Sequence, residues 1–366
     1  MAWPATVVFF GVLPAIAIVL LFQEAIADGA VAFDFRPFYA AAEAVVRRSD
    51  PYPGLGESLD AVAGPYVYPP LPALVTIPLT ALPFTAAGVL VMAALVATVP
   101  ATLWLAGVRD WRCYGLVLIW PPVISAIQTG NVTLWFALAS AVAWRYRDRV
   151  VPAATAIGVT LAAKFFLWPL VAWLVATRRL RSAVAASAIG VGLLLLSWAT
   201  IGFAGFLDYP DLLRRLEDTV GADSYTAYIV GLDVGLPSPV ARALWLALGL
   251  AVLASLVFIG RRGDDRTAFV LAIVAALALT PIVWLHYFAL LVVVVAVAEP
   301  RLRPVWFVPL AMVVTPGSGQ PSPRETFATL VIASVTVALA LRASLHEKAG
   351  VTDTRMVLTR PSVRAS

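Results

Sequence analysis

Long apolar runs, each closed by a short arginine-rich or acidic stretch, make up nearly the whole chain. Residues 5–27, 82–108, 183–201 and 240–259 each reach the ~17–25 residues with which a helix crosses ~30 Å of hydrocarbon. Other apolar runs are shorter. At 1.5 Å per residue, 153–164 rises only ~18 Å and 267–280 only ~20 Å, so their far ends are expected beneath the membrane surface. A recess of that kind is tolerable only where irregular backbone lines a polar cavity, and Lys164, Asn131 and His286 are predicted to face it. Two stretches, 38–46 and 207–220, carry apolar residues on one helical face and predict amphipathic helices lying on the membrane. The pattern as a whole predicts an all-α polytopic membrane protein with about 12 transmembrane helices (10 to 13), segment 68–82 being a short helix or re-entrant piece.

Composition agrees with that class: 61% hydrophobic residues, 13% charged residues and a mean hydropathy of +0.90 exceed what a soluble domain buries. No soluble domain is left over and no internal repeat is visible. Residues 1–345 read as one membrane domain, with outer loops at 28–66 and 204–238, and 346–366 as a short cytoplasmic tail without regular structure. Met1-Ala2-Trp3 offers no basic n-region, so the first run is expected to be retained as a helix rather than cleaved. The single cysteine, Cys113, excludes an internal disulfide and a cysteine-ligated metal site within one chain, and reads as a packed apolar residue.

A net charge of +5 would suggest nucleic acid in a soluble chain. Here the arginines instead cluster in the short loops 109–112, 145–149, 178–181, 261–266 and 301–303, which the positive-inside rule assigns to the cytoplasm together with the tail. They report topology, and no nucleic-acid partner is expected. The outward excursions then fall at 28–66, 128–131, Lys164, 204–238, 280–286 and 315–324. On this assignment 14 of the 21 acidic residues lie outside and 18 of the 26 basic residues inside. That segregation places a multi-pass protein in the cytoplasmic membrane, with its isolated polar residues facing the periplasm or cell exterior.

Among those residues Asp34 precedes a helix-like run. It either caps that helix or supplies the carboxylate that an inverting sugar transfer needs beside the acceptor hydroxyl, partly desolvated so that its pKa suits proton removal. Lys164 is one of two lysines, set apart from every arginine cluster. In apolar surroundings it either snorkels to headgroups or pairs with an anionic lipid phosphate. His286 follows a proline break in Thr280-Pro281-Ile282-Val283-Trp284-Leu285-His286-Tyr287 and suits a hydrogen bond or charge interaction with phosphate. Gly130-Asn131 marks a tight turn. Arg36, Arg47 and Arg48 are further candidates for phosphate or acceptor. Asp208, Asp211, Glu217, Asp218 and Asp223 either bind acceptor or keep the second loop solvated. No Walker A sequence, dinucleotide fingerprint, His-Glu-x-x-His or Asp-x-Asp signature occurs; no cofactor or metal is called for.

These residues carry a resemblance. Asp34-Phe35 with Phe38-Tyr39-Ala40-Ala41, then Asp50-Pro51-Tyr52 and Tyr68-Pro69-Pro70-Leu71, resemble the opening of glycosyltransferase family 87 in order and spacing. Gly130-Asn131, Lys164 with Trp168-Pro169 and Arg178-Arg179, and the 280–287 segment resemble its later landmarks, so the likeness spans roughly residues 30–290. It implies a GT-C type membrane transferase that takes a sugar from a polyprenyl-phosphate donor at the outer membrane face, many members being actinobacterial mannosyltransferases. The family's loop aspartate, its presumed base, maps onto Asp34. Lys164, His286 and Arg36 then hold the donor phosphate, while Tyr39, Tyr68, Asn131, Trp284 and Tyr287 line the substrate cavity. Partners on this reading are the polyprenyl-phosphate sugar donor, a glycolipid or polysaccharide acceptor, and membrane lipids. The sugar expected is mannose, with arabinofuranose as the alternative because related sequences transfer it. The chain departs from the pattern where Phe165-Phe166-Leu167 follows Lys164 and in its short C-terminal third. A lipid or small-molecule transporter is the reading from a different class, since mid-helix polar residues also mark transport paths.

Overall fold

In a computed structural model the described residues are 3–54, 57, 59, 64–315 and 321–358, with side chains through 342. Among them every regular element is helical. In chain order these are α1 (Trp3–Ala27), α2 (Arg36–Val46), α3 (Pro70–Thr76, continued as a 3-10 turn to Ala81), α4 (Phe84–Ala106), α5 (Trp111–Leu118), α6 (Pro121–Thr129), α7 (Thr133–Arg145), α8 (Val150–Ala163) and α9 (Pro169–Ala176). Then follow α10 (Leu180–Thr200), α11 (Tyr209–Val220), α12 (Ala227–Asp233), α13 (Ser238–Arg261), α14 (Asp265–Leu279), α15 (Leu291–Ala298, preceded by a 3-10 turn, Leu285–Leu290) and α16 (Pro323–Leu358).

Five helices are long and apolar enough to cross a membrane: α1, α4, α10, α13 and Pro323–Arg342 of α16. The bent pair α6 and α7, at 116°, makes a sixth if it is one span. Twelve full-length crossings are therefore not seen among the described residues. Proline and glycine explain the difference. Pro70, Pro121, Pro169 and Pro304 open helices where a missing N–H costs nothing, and Gly130 closes α6 at φ +71°. Runs that read as continuous from their apolarity are thus cut into segments of 8 to 15 residues.

The expected amphipathic stretches are helices, α2 and α11. Cys113 is buried. The tail expected from 346 begins within α16, whose backbone runs to Leu358; residues 359–366 lie outside those described, as do parts of the loops expected at 28–66 and 315–324.

Burial sorts the helices. Every residue of α15 is buried, so this short all-apolar helix forms the centre of the bundle. By contrast only 17% of the apolar window of α1 and of α13 is buried, leaving flanks that suit lipid. Small residues let α8 and α10 approach closely: a Cβ on Gly158 would stand 2.7 Å from Ile189.

At one end the basic loops converge. Asp265 receives Arg147 at 2.8 Å, Arg179 at 2.8 Å and the Trp173 indole at 2.9 Å, and Arg179 also reaches Asp148 at 2.8 Å. Leu302 donates its N–H to Asp110, bringing two further basic loops together. The 13-residue α7 and 14-residue α8 run from that end to Asn131 and Lys164, about 20 Å away at 1.5 Å per residue. Arginine loops and isolated polar residues therefore occupy opposite ends of the same helices, as the charge pattern predicts.

Candidate functional site

Asp34 sits in a 3-10 turn, Phe33–Phe35, that leads into α2. Its carboxylate caps neither element. Oδ2 instead accepts a hydrogen bond from Asn131 Nδ2 at 2.8 Å, across 97 residues of sequence. What brings the two together is backbone packing. Ala32 holds a left-handed conformation (φ 47°, ψ 54°) and is fully buried against Gly130, where an added Cβ would fall 2.7 Å from the Ala32 Cβ and 3.1 Å from the Phe35 Cβ. Only glycine combines φ +71° with that approach.

Asn131 is 2% exposed, and its amide is oriented by its own helix start. The Thr133 N–H and Oγ1 both donate to Asn131 Oδ1, at 3.0 and 2.7 Å. With the carbonyl oxygen fixed as acceptor, the NH2 group must face Asp34. Thr133 escaped sequence reasoning, although the Asn131-x-Thr133 spacing at a helix start is the signal that could have found it.

His286 enters from the 3-10 turn before α15. Its Nδ1 lies 3.7 Å from Asp34 Oδ2, its side chain is 6% exposed, and its buried Nε2 has no hydrogen-bond partner. The imidazole stacks on Tyr287 at 5.0 Å and meets Trp284 edge-on at 5.7 Å. Lys164 ends α8 in extended backbone and donates to the Tyr287 hydroxyl. Its Nζ also stands 4.9 Å over the Tyr68 ring and 4.6 Å over the Tyr287 ring. Among the described residues no carboxylate pairs with it. An ammonium surrounded by rings and one phenol is a cation without a protein anion, an arrangement suited to an anionic ligand.

Asp34, Asn131, His286, Tyr287, Lys164, Tyr68 and Trp284 thus form one contiguous group. Two expected members are placed differently. Arg36 is exposed, with its guanidinium 4.4 Å over the Phe84 ring. Tyr39 donates its hydroxyl to the Leu82 carbonyl at 2.7 Å, fastening α2 to the α3–α4 connection. An aromatic cluster, to which sequence reasoning did not assign Trp198, supports the group. Tyr68 packs on Phe38 at 4.6 Å, Tyr52 stacks on Trp198 at 5.2 Å, and the Tyr52 hydroxyl donates to the Tyr68 carbonyl at 2.9 Å. Tyr209 of α11 donates to the Val67 carbonyl at 2.9 Å, so the 28–66 and 204–238 stretches both brace the segment that presents Tyr68.

No curated protein and no solved structure matches the chain. A family model described as glycosyltransferase family 87 matches residues 66–283. That match contains Tyr68, Asn131 and Lys164, and the contacts above join Asp34, His286 and Tyr287 to them from outside it. With more than half of its length matched, the chain belongs to glycosyltransferase family 87 and is a membrane glycosyltransferase.

Proposed function

We propose that the protein transfers a sugar, mannose in the first instance, from a polyprenyl-phosphate donor to a glycolipid or polysaccharide acceptor at the outer face of the cytoplasmic membrane, with inversion. The observation that carries this reading is Lys164, a cation with no carboxylate partner among the described residues, beside a carboxylate and imidazole pair. A phosphate would supply the missing anion, and the isoprenoid tail would lie between helices with lipid-facing flanks.

Asp34 then takes the proton of the acceptor hydroxyl while that oxygen attacks the anomeric carbon. The bond from that carbon to the phosphate oxygen breaks, and its electron pair leaves with the phosphate. Lys164 and His286, in the tautomer that carries its proton on Nε2 and donates from there, stabilise the charge gathering on the leaving group, which is where fixed cations and donors lower the barrier most. Asn131 holds Asp34. A lipid carrier fits the proposed outward orientation, because nucleotide sugars are confined to the other side of the membrane.

Purified protein given polyprenyl-phosphate mannose or polyprenyl-phosphate arabinofuranose, with a mixed membrane-glycolipid acceptor pool, tests the proposal. Transfer from one donor by wild type and none by Asp34→Asn is the expected result. Robust transfer by Asp34→Asn would remove Asp34 as base. No transfer from either donor by folded protein would overturn the polyprenyl-phosphate reading.

A further inference from the structure

We infer that the outer segment formed by α11, α12 and the start of α13 carries a saccharide-binding cleft, which holds a sugar residue of the acceptor away from Asp34; this rests on the transferase reading above. A cavity of about 210 Å³ opens there, lined by Glu217, Asp218, Tyr228, Arg242, Trp245 and Pro281 among others. Pockets for drug-sized ligands run ~300–1,000 Å³, so this one suits a single sugar ring.

Its chemistry is that of polyol recognition. The Tyr228 and Trp245 rings, 6.5 Å apart and inclined at 51°, offer flat apolar walls for the C–H face of a ring. Two carboxylates beside them accept hydrogen bonds from hydroxyls. Arg242 pairs with Glu217 at 3.1 Å and lies 5.4 Å over the Tyr228 ring, which fixes a donor at the same place. Two acids against one arginine leave the cleft net negative, which disfavours a phosphate headgroup and favours a neutral sugar. Acidic residues serving only solvation would need no fixed aromatic wall. This wall is fixed: the Trp245 indole donates to the Ala278 carbonyl at 2.6 Å, and the Tyr228 hydroxyl bonds Ser238 at 2.9 Å.

The cleft is also tied to the site. Pro281, in its lining, accepts from Ser224 Oγ at 3.3 Å. Val283 N–H donates to Ser224 Oγ at 2.8 Å, and Tyr225 N–H donates to the Val283 carbonyl at 2.7 Å. The strand of backbone that floors the cleft is therefore the one that presents Trp284, His286 and Tyr287.

Full-length protein in nanodiscs is tested by saturation-transfer NMR with two probes, an α-mannotrioside and an arabinofuranosyl trioside. Trp245→Ala removes a wall, and Asp218→Asn, at an exposed position, removes charge without threatening the fold. One trioside is expected to bind wild type, and each variant to weaken it at least tenfold. In turnover the acceptor KM rises while the donor KM and kcat at saturating acceptor hold. No binding by folded wild type, or unchanged affinity in both variants, would overturn the cleft. Saccharide binding that depends on Trp245 in protein without transfer activity would leave the cleft standing and defeat the transferase reading. Transfer with an acceptor KM indifferent to both variants would do the reverse.

Discussion

Asn131 donates its amide to the Asp34 carboxylate at 2.8 Å while its own carbonyl is held by Thr133, so the carboxylate is positioned by a residue that is itself locked. Misplacing a reacting group by about 1 Å costs on the order of 10²-fold in rate, and Asn131→Ala is expected to lose about that much transfer. Asn131→Asp keeps the size but sets a second carboxylate against Asp34, which raises the pKa of the pair. Its activity should recover toward alkaline pH, whereas a purely structural defect would lower the yield of folded protein and leave the pH–rate profile in place.

Lys164 and Tyr287 form the other half of the group. If the ammonium holds the donor phosphate, Lys164→Met should reduce kcat/KM for the donor by 10²-fold or more, in line with ~2–5 kcal/mol for truncating one member of a desolvated charge contact. Tyr287→Phe removes only a hydroxyl that accepts from the ammonium and should cost about tenfold. Lys164→Arg keeps the charge but not the compact fit between the two rings, so partial recovery is expected. Initial rates at varied donor concentration separate these cases; equal activity of Lys164→Met and wild type would detach Lys164 from the donor.

Gly130 links backbone geometry to chemistry. Gly130→Ala pays about 1–2 kcal/mol for a left-handed conformation and also drives its Cβ into Ala32 and Phe35, the turn that carries Asp34. Gly107 provides the comparison, because at φ +100° it has nothing within 4 Å of an added Cβ. Both variants should lower thermal stability in detergent, but only Gly130→Ala should lose transfer per folded molecule. Equal specific activity in the two would show that the 32–35 turn tolerates displacement.

Much of this site was legible in the chain, and the reasons differ from residue to residue. Lys164 and His286 stand out because a lone polar group in an apolar run is costly and therefore noticed, and Asp34 because it precedes a helix-like run within a charged loop and heads the family resemblance. Asn131 was visible only as part of a turn; its bond to Asp34 spans 97 residues, and no local pattern encodes it. Thr133 and Ala32 were missed for the same reason, since one acts through an amide orientation and the other through a backbone angle. Arg36 and Tyr39 show the opposite failure. The family resemblance gave Arg36 to the donor phosphate and Tyr39 to the cavity, yet from α2 Arg36 lies over Phe84 and Tyr39 reaches the Leu82 carbonyl. Where the short segments are cut was not legible, because hydropathy sums over a segment while a proline or a left-handed glycine breaks it at one residue.

At the arginine-rich end Asp265 neutralises Arg147 and Arg179, with side chains 20–31% exposed. Asp265→Ala takes the carboxylate from Arg147 and leaves Arg179 with Asp148 alone, and should destabilise the protein by roughly 2 kcal/mol, less than the ~3–5 of a fully buried pair because water reaches these groups. Transfer per folded molecule should hold, since the site lies ~20 Å off along α7 and α8. Nearby, Arg179 holds the Asp148 carboxyl below the usual carboxylate range. Its contribution is present above the ordinary carboxylate pKa and is lost as pH falls through the lowered value, and the exposure of Asp148 keeps it small. Melting curves in detergent across acid pH check both statements; loss of transfer in folded Asp265→Ala would mean that the two ends communicate.

The orientation of the site is the remaining link between geometry and donor choice, and the cysteine content makes it measurable. Cys113 is the chain's only cysteine and is fully buried, so a membrane-impermeant maleimide has little background. Asp218→Cys places a thiol on the acidic segment and Arg145→Cys places one in a basic loop, both at exposed positions. With the Asp34 group facing outward, intact cells label Asp218→Cys, and Arg145→Cys reacts only after the membrane is opened. The reverse pattern would turn the site toward the cytoplasm, where nucleotide sugars are available. The case for a lipid-linked donor would then rest on Lys164 alone.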